Sequence, residues 1–213
     1  MLITFEGIDG SGKSTQAQIL VERLEAEGRA TVLVREPGGT PLSERIRKLL
    51  LETRGDALRI DPLAEVLLFS AARAQLVEER IRPALAEGRI VICDRFYDST
   101  TAYQAVGREV DLQWVKALNL QVTGGLVPDR TYLIDVPGAV AAARLADVRP
   151  DRMEGSGKAF YERVARAYRE LSGSEERFRI IDGTYSVQAV HEEIWEDLEA
   201  VRARAAAREV PEP

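Results

Sequence analysis

Short apolar runs alternate along this chain with longer stretches in which apolar and polar positions recur at helical spacing. Leu2–Phe5, Thr31–Val34, Ile90–Cys93, Thr131–Val136 and Arg179–Ile181 are brief, apolar and β-branched. That is the pattern of strands buried on both faces. Lys13–Glu27, Asp61–Ala86, Leu112–Thr123, Ala139–Ala146, Lys158–Leu171 and Val187–Ala207 carry the period of helices. Strand–helix alternation predicts an α/β layer fold, a five-stranded parallel sheet flanked by helices. In such sheets ligands bind beyond the carboxyl ends of the strands, and the chain's unusual residues fall there.

Neither an internal repeat nor a low-complexity linker interrupts the pattern. The 213 residues suit one domain, expected over 1–200. Residues 201–213 are rich in Ala, Arg and Glu, close on Pro211 and Pro213, and are expected to fray. No stretch approaches the ~18 apolar residues of a membrane span. Met1 leads straight into an apolar strand, without the basic region of a signal peptide. Cys93 is the only cysteine, which excludes an intramolecular disulfide. Together these predict a cytoplasmic protein that engages no membrane.

Net charge is −6, and no run of five Lys or Arg occurs. A nucleic-acid groove would carry a basic surplus, so no nucleic-acid partner is expected. The chain has 25 Arg against 4 Lys. The guanidinium fork suits phosphates and carboxylates, although genomic base composition produces the same bias.

Gly7-Ile8-Asp9-Gly10-Ser11-Gly12-Lys13-Ser14 fits the phosphate-binding pattern G-x-x-x-x-G-K-[ST], with an apolar strand before it and a helical pattern after it. Glycines let backbone N–H groups turn inward around phosphate oxygens, and the helix opening near Lys13 adds its positive end. Lys13 is expected to reach the β- and γ-phosphates of ATP, and Ser14 to hold Mg²⁺. These residues point to a three-layer P-loop NTPase fold. Asp9 is odd, because a carboxylate inside a phosphate loop repels its ligand; it bonds a sugar hydroxyl of an acceptor, helps place the metal, or is a plain solvated loop residue.

The strand Ile90–Cys93 runs into Asp94-Arg95. A carboxylate there suits a metal or its water, and Arg95 would clamp a second phosphate; a plain strand-end ion pair would look the same. Phe69 and Arg73, four apart on a helix, share a face. An aromatic there can stack on a base while the arginine bonds its edge. Arg144, Arg149 and Arg152, followed by Gly155 and Gly157, suit a short mobile lid at about 144–158 that closes over a transferring phosphate. The lone His191, in a helix of Glu and Ala, reads as a surface residue without a role.

With these motifs in order, the sequence resembles the bacterial thymidylate kinases from Leu2 to about Trp195. The resemblance is carried by Phe5–Thr15, by Arg35-Glu36-Pro37-Gly38-Gly39-Thr40, by Leu68-Phe69-Ser70-Ala71-Ala72-Arg73, by Asp94–Gln104 and by Asp151-Arg152-Met153-Glu154. It implies transfer of phosphate from Mg·ATP to dTMP. It also implies an ATP site over Gly7, Ile8, Asp9, Gly10, Ser11, Gly12, Lys13, Ser14 and Thr15, with Arg144 against adenine. Phe69 would stack on thymine and Arg73 bond its O4. Arg95 and Arg47 would hold the acceptor phosphate, and Asp9 touch the 3′-hydroxyl. Tyr103 would disfavour ribose, Thr100 line the base pocket, and Ser14 with Asp94 serve the metal. The P-loop carries no Arg, so the lid supplies the catalytic one, Arg149 or Arg152. Phe96 stands where the family usually has Tyr or His, and Gly155-Ser156-Gly157 is unusual for its lid. Members are commonly homodimers.

Two other readings share the P-loop. A kinase for a different nucleoside monophosphate differs only in its acceptor. A GTP-binding switch would read guanine with Asn/Thr-Lys-x-Asp, but no Lys here has Asp two residues on, and the switch-like Asp135-Val136-Pro137-Gly138 lies far from the P-loop.

Overall fold

The computed structural model describes residues 1–51, 59–146 and 157–208, with side chains as far as 204. Five strands, β1 (Leu2–Glu6), β2 (Thr31–Arg35), β3 (Ile90–Asp94), β4 (Arg130–Asp135) and β5 (Phe178–Asp182), form one sheet in the order β2-β3-β1-β4-β5. Every pairing is parallel. Each strand reaches one residue past its expected end except β4, which stops one short, at Asp135. The carboxyl ends therefore gather Glu6, Asp94, Asp135 and Asp182 on one rim.

Successive strand residues face opposite sides of the sheet, and this alternation builds two layers of core. Ile3, Phe5, Ile92 and Ile134 pack with Leu20 and Leu24 of α1 (Lys13–Ala26) and with Ile194 and Leu198 of α9 (Val187–Arg208). On the other side, Leu2, Val91 and Cys93 meet Leu76, Val77 and Ile81, while Leu133 meets Phe160, Val164 and Tyr168 of α8 (Lys158–Ser174). Each such side chain sealed from water stabilises the fold by about 1.5–3 kcal/mol. The lone Cys93 is buried.

Three departures from the expected elements have physical causes. The long helix over 61–86 is three pieces: α3 (Pro62–Leu76), a π-helical segment Val77–Ile81, and α4 (Arg82–Ala86). Pro83 has no amide hydrogen and its ring crowds the preceding turn, and the Arg82 amide steps back five residues to Val77 O. Two helical stretches were not expected, α2 (Pro41–Leu51) and α5 (Tyr97–Thr100) running into the π-helical Thr101–Gly107. α9 ends at Arg208, one residue past the helix expected over Val187–Ala207, and its Arg202 pairs with Glu27 and Glu199. α6 (Leu112–Val122) and α7 (Gly138–Arg144) fall where helices were expected.

His191 corrects the surface reading. It is 2% exposed, because α9 packs this face against α1, and neither ring nitrogen has a hydrogen-bond partner among the described residues. Among the described residues, no helix is long and apolar enough to cross a membrane.

Candidate active site

The loop from Gly7 to Gly12 joins β1 to α1. Gly7 has φ +142°, and a Cβ there would lie 2.6 Å from Ile134 O, so only glycine passes this close to β4. Gly12, at φ +101°, turns the chain into α1. α1 opens without a side-chain cap and without an acid in its first turn. Its first N–H groups and its positive end are thus left for an anion. Lys13 is buried, with Nζ 3.3 Å from Ile8 O and 3.7 Å from Asp9 Oδ1. Burial, and then the Arg95 charge, push its ammonium below the usual range, against the pull of Asp9, Asp94 and Glu6. Ile8 contributes only backbone, since its side chain is buried in the core with Leu133. Thr15 lies exposed in the first turn of α1.

Ser14 Oγ donates to Asp94 Oδ2 at 2.5 Å, and Asp94 Oδ1 is buried without a partner. Two hard oxygen groups from P-loop and strand end suit Mg²⁺, which binds through few protein ligands and keeps several waters. Arg144 reaches over the loop from α7, donating from Nη1 to Ser11 O at 3.1 Å and from Nη2 to Gly183 O at 2.8 Å.

Arg95 stands where β3 ends. Its φ of +68° is a left-handed conformation that a non-glycine residue adopts at a cost. Its Nη2 donates to Asp9 Oδ1 at 2.5 Å and to the Tyr103 hydroxyl at 3.3 Å. Burial works against a charged Asp9, but the Arg95 and Lys13 cations, with hydrogen bonds from Tyr103 and Arg95, outweigh it and hold the carboxyl well below the usual range. Tyr161 donates a further bond to the same carboxylate at 3.2 Å. Asp9 is thus no repulsive intruder. It is the anion between the Lys13 and Arg95 cations, and it offsets their mutual repulsion.

From Asp9 and Arg95 an open cleft runs to Phe69 and Arg73. Arg47, Thr100 and Tyr103 line it as well, so the expected acceptor residues meet in one place. Arg73 is more deeply set than a surface donor. It is 1% exposed, and it donates to Glu36 Oε2 at 2.7 Å, Asn119 Oδ1 at 2.9 Å and Thr100 Oγ1 at 2.7 Å. Arg47 donates to Pro37 O at 2.9 Å, just after the cis peptide bond Glu36–Pro37. Glu36, Pro37, Phe96, Ser99 and Gln104 also line the cleft and were given no role from sequence. All lie inside motifs that the sequence displays, which was the one signal available. Arg149 and Arg152 lie outside the described residues.

Comparison with known proteins agrees with this geometry. The model of the family described as Thymidylate kinase matches residues 5–194. A protein of Chlorobium luteolum named Thymidylate kinase is 48% identical over 202 residues, covering 90% of this chain and 93% of its own. One of Bifidobacterium longum is 48% identical over 200 residues, covering 93% and 97%. The crystal structure of thymidylate kinase from Ehrlichia chaffeensis superposes with a TM-score of 0.74 at 37% identity, covering 93% of this chain and 98% of that one. On its matched residues, its fold and its relatives, this chain belongs to the thymidylate kinase family.

Proposed function

We propose that this chain transfers the γ-phosphoryl group of ATP to dTMP, giving ADP and dTDP. The observation that carries the reading is the position of Arg95 and Asp9. They line the same cleft as Phe69 and Arg73, and Asp9 pairs with both Arg95 and the P-loop residue Lys13, so an acceptor phosphate held by Arg95 would lie beside the γ-phosphate held by Lys13. Such transfer depends on positioning and charge neutralisation more than on covalent help. The acceptor phosphate is itself the nucleophile, so no strong base is needed. Lys13 and the N–H groups at the start of α1 hold the donor phosphates, Arg144 covers the loop, and Ser14 and Asp94 hold Mg²⁺. Bound Mg²⁺ supplies neutralisation of phosphate charge. Arg95 and Arg47 hold the acceptor phosphate, Phe69 stacks on thymine, and Arg73 with Thr100 forms the polar floor. Tyr103, donating to Asp9 Oδ2 at 2.9 Å, closes the sugar side against ribose. Arg149 or Arg152 completes the site from a lid over about 144–158, within one domain. A homodimer is supported by leucines exposed on adjacent helices, Leu63 and Leu67 on α3 and Leu120 on α6. The cytoplasm is the expected compartment.

The test is ADP release with Mg·ATP and a panel of dTMP, dUMP, UMP, CMP, AMP and GMP. Strong turnover with dTMP and little with the ribonucleotides is expected. Preference for another monophosphate would keep the kinase and discard the acceptor, and silence across the panel would discard both.

A further inference from the structure

Behind Arg95 lies a carboxylate that none of these roles uses. Glu6 is fully buried at the end of β1. Its Oε1 accepts the Phe96 amide at 2.7 Å, and its Oε2 accepts the Ser99 hydroxyl at 2.6 Å and the Tyr168 hydroxyl at 2.9 Å. Both hydroxyls also accept from Arg95 Nη1, at 3.1 and 3.2 Å. We infer that Glu6 is a positioning residue for the acceptor phosphate, aiming the Ser99 and Tyr168 hydroxyls so that they hold Arg95 in its phosphate-facing pose. This rests on the reading of Arg95 as the acceptor's phosphate ligand.

A hydroxyl has one proton and two lone pairs. Ser99 and Tyr168 also share a hydrogen bond at 2.8 Å, so their two protons are spent on Oε2 and on that shared bond, and neither is turned toward Arg95. Each must then turn a lone pair outward, and Arg95 Nη1 is what lies there. Arg95 needs such support, because its left-handed backbone is unfavourable on its own. The last two residues of β1 supply it twice over. Phe5 O accepts the Arg95 amide at 2.9 Å, Glu6 accepts the next amide, and through the two hydroxyls Glu6 also braces the guanidinium.

A glutamine would fill the same space but cannot do the same work. With its oxygen toward the Phe96 amide, its NH₂ meets the two hydroxyls, which can keep only one proton between themselves, so the other turns toward Arg95. Turned over, its NH₂ meets the Phe96 amide. Either orientation sets donor against donor.

The test is steady-state kinetics at pH 8.5, where Glu6 is ionised, on Glu6→Gln, Ser99→Ala, Tyr168→Phe and the hydroxyl double variant, with Arg95→Ala as reference. Glu6→Gln raises KM for dTMP by about tenfold, the loss expected when a hydrogen bond to a charged group fails. KM for ATP changes less than about twofold. The hydroxyl double variant reproduces this split, and adding Glu6→Gln to it costs little more, because the groups that Glu6 aims are already gone. Equal rises in both KM values, or fully additive losses, would overturn the inference. Should circular dichroism show Glu6→Gln unfolded, the hydroxyl double variant decides, and an unchanged dTMP KM overturns it. An unchanged dTMP KM in Arg95→Ala would overturn the Arg95 reading and this inference together, whereas a large effect there with none in Glu6→Gln would overturn the inference alone.

Discussion

Arg73 and Glu36 form an ion pair sealed from solvent, Nε to Oε2 at 2.7 Å, with side-chain exposures of 1% and 4%. Burial pushes the Glu36 carboxyl above the usual range, and the Arg73 charge and hydrogen bond pull it back. Removing one partner strands a buried charge. Glu36→Ala is expected to destabilise the fold by about 3–5 kcal/mol, read by urea unfolding, and to raise KM for the acceptor. Replacing both, Glu36→Leu with Arg73→Met, should cost less than the sum of the single changes. Additive losses would show that the two side chains do not act as a pair.

Lys13 poses the opposite case. Its ammonium is buried, makes one long hydrogen bond to Ile8 O at 3.3 Å, and is pushed toward neutrality by burial and by Arg95. Such a group is held for its ligand rather than for the fold. Lys13→Ala should lower turnover by at least roughly a thousandfold, in line with the loss of a preorganised charge at the transferring phosphate. Its melting temperature should stay within about 4 °C of the parent. Persisting turnover would remove the phosphate loop from the mechanism.

Glu6 also leaves a signature in stability. Burial, and then the nearby Asp98 carboxylate, raise its proton affinity to about 7, against the pull of Ser99, Arg95 and the Phe96 amide. The folded state then binds more protons than the unfolded state between about pH 4.5 and 7, so stability falls as pH rises through that window. The Glu6 contribution is on the order of 3 kcal/mol. Denaturant midpoints of the parent and of Glu6→Gln, measured from pH 5 to 7.5, should differ in slope, with the variant lacking this downward component. Parallel curves would mean that Glu6 keeps an ordinary affinity for its proton.

Much of this site was legible before the fold. The P-loop showed itself because glycines at fixed spacing between an apolar strand and a helix have few other uses, and the strands because burial on both faces demands unbroken β-branched runs. Helix α2 was missed because it buries little of its own, with Leu42 and Leu49 left exposed. The helical turns over Tyr97–Gly107 were missed because Ser, Thr, Tyr and Gly favour helix weakly; tertiary packing against α8 sustains them. Asn119 and Tyr168 carried no signal at all, and Glu6 showed only as a member of the motif Phe5–Thr15, with no role. Their roles exist only in contacts across the chain, such as Tyr168 to Glu6 and Arg73 to Asn119.

His191 is where the sequence reading failed outright, and its burial has a consequence in acid. Burial, and then the Arg23 charge, hold its ring below the usual histidine affinity for protons, with Glu192 opposing. Arg23 stacks on Trp195 and pairs with Glu192 at 3.0 Å, which keeps its charge close by. A base whose folded-state proton affinity is lowered contributes stability above its unfolded value, near pH 6.5, that is lost as pH falls. Both ring nitrogens are buried without partners even when neutral, a standing cost of about 1 kcal/mol or more. His191→Leu should therefore raise stability at pH 7.5 by about 1 kcal/mol and flatten the loss between pH 7 and 5.5, with turnover unchanged. Urea unfolding at the two pH values is the measurement. A variant that is less stable at pH 7.5 would mean that the imidazole has hydrogen-bond partners in solution, such as an enclosed water between α1 and α9.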